Sequence, residues 1–440
     1  MVKKVETAIV SLWGEQVAAV SWLDDAAYAV FEYQPAFVKK GLDIAPIQMP
    51  LSLAASTNAI FSFPTLNKDT FRGLPGLLAD SLPDKFGNNI IDAWLARQGR
   101  DVASFSPIER LCYVGKRGMG ALEFAPIAIK GMDKPVAVEV AELVALAQQI
   151  TQERTKIDVS IDTSIGASEK ENQQAIADIL RVGTSAGGAR PKAVIAMNAE
   201  GRVVSGQGEA PVGFDYWLLK FDGVSDLELG EPKQFGRIEY AYHLMARQAG
   251  IEMSECRLLE ENGRAHFLTK RFDRAGGEKL HMQSLCGIAH YDFNIAGAYG
   301  YEQAFMVMRQ LRLSKAEAIQ QYRRMLFNVI ARNQDDHTKN IAFLMDQDGK
   351  WRLSPAFDVT YSHNPAGQWT NQHQMSIYGK RDGFELQDLI SIGESISVSR
   401  PQQIIEEVRN TVAQWPVFAK EAGVSESLTK EIGTYHRLGL

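Results

Sequence analysis

The chain has 440 residues, 45% of them hydrophobic and 23% charged, which suits two or three folded domains of ordinary composition. A net charge of −6 excludes a global basic field for binding nucleic acid directly, and no apolar run approaches the length of a membrane span. Cys112, Cys256 and Cys286 are widely spaced with no C-x-x-C pair, so a disulfide framework or zinc site is disfavoured and a reducing cytoplasm fits. The N-terminal residues carry charge but no long apolar segment, which also disfavours secretion.

In chain order, Thr7 to Trp13 and Val17 to Trp22 flank Gly14-Glu15 as a β-hairpin, and Val30 to Tyr33 adds a strand. Pro46 to Leu53 reads as extended, Leu74 to Leu82 and Asn89 to Arg97 as helices. The glycine-rich stretch Gly115 to Gly120 reads as a structural turn, since it lacks the spacing of a phosphate-binding fingerprint. A helix near Val136 to Ile150, a polar linker from Thr151 to Ser168 and a helix near Lys170 to Leu180 lead into a donor-rich loop, Arg181 to Lys192. After it come a strand at Ala193 to Met197, a turn at Asn198 to Arg202, and the strand Tyr216 to Phe221, which carries Lys220. Loop, strand, turn and a strand ending in Lys is the order of a kinase nucleotide lobe; an ordinary strand-end charge is the competing reading of Lys220. Ile238 to Gln248 reads as a helix with Glu239 near its start. Ala265 to Arg274 reads as a strand running into the breaker Ala275-Gly276-Gly277, and the remainder is mostly helical.

The most chemically loaded stretch is Ala331 to Asn340. A helix opens at the capping-box pair Ser314 and Glu317 and runs to a loop containing Asp335, Asp336, His337, Lys339 and Asn340. Ile341 to Leu344 and Trp351 to Leu353 then form a hairpin, and Asp358 follows. The Asp335-to-Asn340 spacing is that of a kinase catalytic loop, in which an Asp handles the attacking hydroxyl's proton and the Asn and a later Asp hold magnesium. The same residues also make a good solvated turn, and the ordered set of helix, Asp, Asn, hairpin and Asp favours the catalytic reading.

Together, Ser185 to Lys192, Lys220, Lys270 to Arg274, Asp335 to Asn340 and Phe357-Asp358 resemble the HipA family of bacterial toxin serine/threonine kinases. The resemblance implies an α+β, two-lobed, protein-kinase-like fold. An extra N-terminal subdomain (1–130) precedes a mixed α/β nucleotide-binding lobe (131–275) and a mainly helical catalytic lobe (276–440). It implies ATP and Mg2+ as cofactors, Asp335 as the catalytic residue, and Asn340 and Asp358 as metal ligands. Nucleotide contacts are implied for Lys220, for Gly187, Gly188, Ala189, Arg190 and Lys192, for Lys270, Arg271 and Phe272 near adenine, for Asp273 at the ribose, and for His337 and Lys339. Ser185, or alternatively Thr184, is the matching position for autophosphorylation that silences the kinase. The implied partners are a small helix-turn-helix antitoxin (HipB-like), through which DNA is reached, and a protein substrate such as an aminoacyl-tRNA synthetase.

Three features depart from the family pattern. Asp336 places a second carboxylate beside the presumed base, although the spacing to Asn340 selects Asp335; Lys270 stands where an acidic residue also occurs; and Asp358 is followed by Val359, not Phe. The alternatives are a small-molecule or lipid phosphotransferase on the same fold, or a non-catalytic antitoxin-docked regulator.

Overall fold

A computed structural model describes residues 4–57, 59–97, 99–127, 139–141, 143–144, 191–206, 208–222, 234–275 and 277–440. The chain divides into two compact units, both assembled from discontinuous stretches. One is drawn from Met1–Phe37, Ser81–Gly236 and Arg257–Lys279, the other from Val38–Asp80, Arg237–Cys256 and Leu280–Leu440.

The first unit holds two antiparallel sheets. β1 (Thr7–Leu12), β2 (Glu15–Leu23), β3 (Tyr28–Tyr33) and β4 (Leu122–Ala125) form one, in the order β3-β2-β1-β4. Burial alternates along β1 as the period of a half-covered strand requires, with Ala8, Val10 and Leu12 inward. The predicted hairpin turns at Gly14, whose φ of +81° is a conformation that favours glycine. β5 (Lys192–Met197), β6 (Val203–Ser205), β7 (Asp215–Lys220), β8 (Cys256–Glu261) and β9 (Arg264–Lys270) form the other sheet, in the order β6-β5-β7-β9-β8. Every residue of β5 is buried, and Ala193, Ile195, Trp217, Leu219 and Leu268 are among the apolar cluster on the sheet. A ribbon of β10 (Arg274–Ala275) and β11 (Glu278–Lys279) follows.

The second unit is mainly helical, around the helix Lys315–Ile330. Ser314 caps its start in a reciprocal capping box with Glu317, as the sequence predicts. Tyr322, Met325, Leu326, Phe327, Val329 and Ile330 are buried in one core with residues of the helices Phe235–Gln248, Tyr301–Gln310 and Pro401–Val412. A small sheet of β12 (His281–Ser284), β13 (Ala342–Met345) and β14 (Trp351–Leu353) carries the predicted hairpin at its β13-β14 side.

Two local expectations are corrected. Pro46 to Leu53 is not extended: Met49 N–H bonds Ala45 O, the Asp43 carboxylate accepts from Leu51 N at 3.2 Å, and a helix runs over Leu51–Thr57. The helix expected over Leu74 to Leu82 shrinks to Gly76–Ala79. It follows Pro75 and packs its glycine against Gly287, where an added Cβ would lie 2.1 Å from a carbonyl oxygen. The expected helices near 136–150 and 170–180 and the linker between them lie largely or wholly outside the described residues.

Candidate active site

The helix Lys315–Ile330 ends on Ala331, and Arg332 adopts a left-handed φ of +59° that turns the chain sharply into the loop. A ladder then fixes the loop's start: Gln334 N bonds Ser362 O at 3.0 Å and Ser362 N bonds Arg332 O at 3.1 Å. Its far end is a short 3-10 turn, Thr338–Asn340, held where the Thr338 hydroxyl donates to Tyr291 O at 2.7 Å.

The two adjacent carboxylates differ sharply. The Asp336 side chain is 1% exposed and accepts from the Tyr301 hydroxyl at 2.7 Å, from His373 Nδ1 at 2.9 Å and from Gln374 N at 2.8 Å. A chain of amides backs it: Asn333 Nδ2 donates to Asn328 Oδ1 at 2.9 Å, and Asn328 Nδ2 to the Tyr301 oxygen at 3.1 Å. Burial, reinforced by the Asp336 charge, pushes the Tyr301 phenol well above its usual range, so this hydroxyl stays a donor. Asp335, in contrast, is 37% exposed; its Oδ1 accepts from Trp369 Nε1 at 2.7 Å and lies 3.8 Å from His337 Nε2. Asp336 is thus built into the fold, and Asp335 presents a carboxylate outward.

Asn340 Nδ2 donates to Asp335 O at 2.8 Å, which directs the amide's oxygen the other way, as an acceptor. Asp358 sits in left-handed backbone, φ +55°, a conformation that aspartate tolerates better than most residues and that clusters at functional sites. Both residues line a pocket of about 30 Å³ of mixed character, with Asp336, His337, Arg324 and Asn333 on it beside Ile341 and Val359. One amide oxygen and one carboxylate fit a hard cation such as magnesium, which binds few protein ligands and completes its shell with phosphate and water. Among the described residues no group of three or more His, Cys, Asp and Glu side chains gathers into a protein-only metal cage. Lys339 points elsewhere, its ammonium 4.8 Å from the Phe293 ring.

The other predicted contacts lie in the first unit. Lys220 on β7 stands directly opposite Lys192 on β5 and Phe267 on β9, so all three share one face of the sheet. The Lys220 ammonium lies 5.8 Å from the Phe267 ring, and the buried Lys192 Nζ is 3.4 Å from the equally buried Asp84 Oδ2. Two ammonium groups on opposed positions favour an anion beside them. Lys270 makes a surface pair with Asp215 at 2.8 Å.

Arg271 and Asp273 are buried and joined by Arg271 Nε to Oδ1 at 2.9 Å and Arg271 Nη2 to Oδ2 at 2.7 Å. Asp273 also takes Arg274 Nη1 at 2.8 Å and Gly120 N at 2.7 Å. Burial alone would raise this carboxyl, but the Arg271 and Arg274 charges outweigh it and hold it well below the usual range. The implied ribose contact falls on Asp273, which is fully buried and ties Gly120 to the end of β9. Ser185, Gly187, Gly188, Ala189 and Arg190 lie outside the described residues.

Sequence models of the HipA N-terminal domain and of the HipA-like C-terminal domain match residues 8–125 and 184–415. The chain belongs to the HipA family. It shares its fold with HipA of Shewanella oneidensis MR-1, solved with HipB and operator DNA. The two are 14% identical, at a TM-score of 0.62 over 97% of this chain and 95% of that one. The Helicobacter pylori proinflammatory kinase CtkA is more distant, at 12% identity and a TM-score of 0.32 over 50% of this chain and 88% of that one. No curated protein matches the sequence.

In this HipA-family chain the sequence reading missed Trp369, His373, Gln374, Tyr301 and Asn328. Four of them approach the loop from segments 34 to 40 positions away, with no fixed spacing to expose them. Asn328 alone left a signal: it is a polar residue near the end of an otherwise buried helix, one turn before the loop.

Proposed function

We propose that this chain is the toxin of a toxin–antitoxin pair, acting as a magnesium- and ATP-dependent serine/threonine protein kinase. The observation that carries the reading is an Asp335 with an outward carboxylate, whose backbone oxygen takes the Asn340 amide N–H, with Asn340 and Asp358 lining one pocket. Asp335 Oδ2 takes the proton that an acceptor hydroxyl releases as its oxygen bonds to the transferred phosphorus and the bond to the leaving diphosphate breaks. Magnesium, when bound through Asn340 and Asp358, supplies charge neutralisation for the phosphates. Lys220, with Lys192 beside it, binds phosphate oxygens. The chain around Lys270 to Phe272 offers backbone groups to adenine.

On the same reading, Ser185 is phosphorylated in the glycine-rich loop. About two added negative charges there repel the nucleotide phosphates and silence the enzyme. The substrate is a translation component, an aminoacyl-tRNA synthetase being the family's known class of target. A HipB-like antitoxin neutralises the chain and brings it to DNA, consistent with a net charge of −6 that favours no direct contact. Incubating the purified chain with γ-labelled ATP, magnesium and cell extract tests the reading. Label entering protein supports it; label confined to metabolites or lipid identifies a small-molecule or lipid phosphotransferase instead.

A further inference from the structure

The segment after Asp358 returns to the loop through contacts unlike ordinary packing. Buried Asp336 binds the backbone of Gln374 and the ring of His373, and the Gln374 side chain donates to Trp369 O and to Gln334 O, the latter at 3.4 Å. Asn364 N bonds Thr370 O at 3.1 Å and closes the intervening loop on itself. The outcome of this bracing is one bond: Trp369 Nε1 to Asp335 Oδ1 at 2.7 Å. An indole N–H donates only, and Trp369 is half-buried. It therefore takes one carboxylate oxygen, fixes the side-chain torsion, and leaves Oδ2 as the oxygen that faces outward.

We infer that Trp369 is the positioning residue of Asp335. Its N–H holds the carboxylate in the orientation from which Oδ2 meets an incoming hydroxyl, and Asp336 acts as the anchor that keeps Trp369 in place. The inference rests on the reading of Asp335 as the proton acceptor in phosphoryl transfer. Two roles are thereby divided between neighbouring carboxylates. Misplacement of a base by a fraction of an ångström lowers the rate of the chemical step without weakening nucleotide binding. A residue that merely filled space would instead act through stability.

The experiment measures kcat and KM for magnesium ATP with the full chain and dialysed, kinase-inactivated cell extract as hydroxyl donor, comparing wild type, Asp335→Asn and Trp369→Phe. Trp369→Phe keeps an aromatic ring and removes the donor. The expected result is a kcat lower by about tenfold or more, with KM for ATP and the melting temperature unchanged. If Trp369→Phe matches wild type while Asp335→Asn is inactive, the Trp369 role is overturned and the kinase reading stands. If Asp335→Asn matches wild type, both fall. Should Trp369→Phe melt early, benzothienylalanine at position 369 keeps the bicyclic shape and replaces only the N–H. The same kcat loss supports the inference, and a wild-type kcat overturns it.

Discussion

Asp335 and Asp336 are consecutive, yet among the described residues one is 37% exposed with a single close donor, and the other is 1% exposed with three. The chain turns sharply at Arg332, φ +59°, and the two consecutive carboxylates that follow differ in exposure. Asp335 presents its carboxylate to solvent, whereas Asp336 is buried beside Tyr301 and lines the pocket. The predicted consequences of substitution at the two positions are therefore opposite in kind.

Asp336→Ala should destabilise the fold by about 3 kcal/mol, because Tyr301, His373 and Gln374 N would each lose a buried acceptor. Chemical denaturation measures this directly. A stability equal to wild type would show that Asp336 is not the anchor its contacts describe.

Asp358→Asn should leave stability within about 1 kcal/mol of wild type, since asparagine tolerates the left-handed φ of +55° as readily. It should also remove the magnesium dependence of ATP-induced thermal stabilisation. Persistence of that dependence would exclude Asp358 as a metal ligand.

Asp84→Ala should destabilise the first unit by about 3 kcal/mol by removing a carboxylate 3.4 Å from the buried Lys192 ammonium and the acceptor for Gly87 N. Lys192→Met in the same background should recover part of the loss, because the buried ammonium is then gone as well. Independent, additive losses in denaturation midpoint would contradict the pairing.

Burial pushes His281 and His290 down to about 4 each. His290 has a further geometric reason to stay neutral, since its Nε2 accepts Gly76 N–H at 2.9 Å. Unfolded imidazoles titrate near roughly 6.5, so below that pH the unfolded chain binds protons that the folded one refuses. The stabilisation from neutral, buried histidine is complete above that value and is lost as pH falls toward 4. The melting temperature should accordingly drop between about pH 7.5 and 5. A flat profile there would contradict it.

Much of this architecture is legible in the chain. The capping box at Ser314, the alternation along β1 and the turn at Gly14 are local devices, and local devices leave local signals. The loop's own residues were legible for the same reason, being fixed by spacing. What supports them was not. Trp369 reaches Asp335 across 34 positions and Tyr301 reaches Asp336 across 35, contacts that exist only once the helices have packed. Pro46 to Leu53 misleads for a related reason: its apolar residues suit a strand, and a helix cap from Asp43 decides otherwise.

The most direct test of the whole account compares wild type with Asp335→Asn for label transfer from γ-labelled magnesium ATP to protein, with ATP-induced thermal stabilisation measured alongside. Asp335→Asn should lose transfer by about a thousandfold while its stabilisation by magnesium ATP is retained. Transfer at the wild-type rate by Asp335→Asn would contradict it.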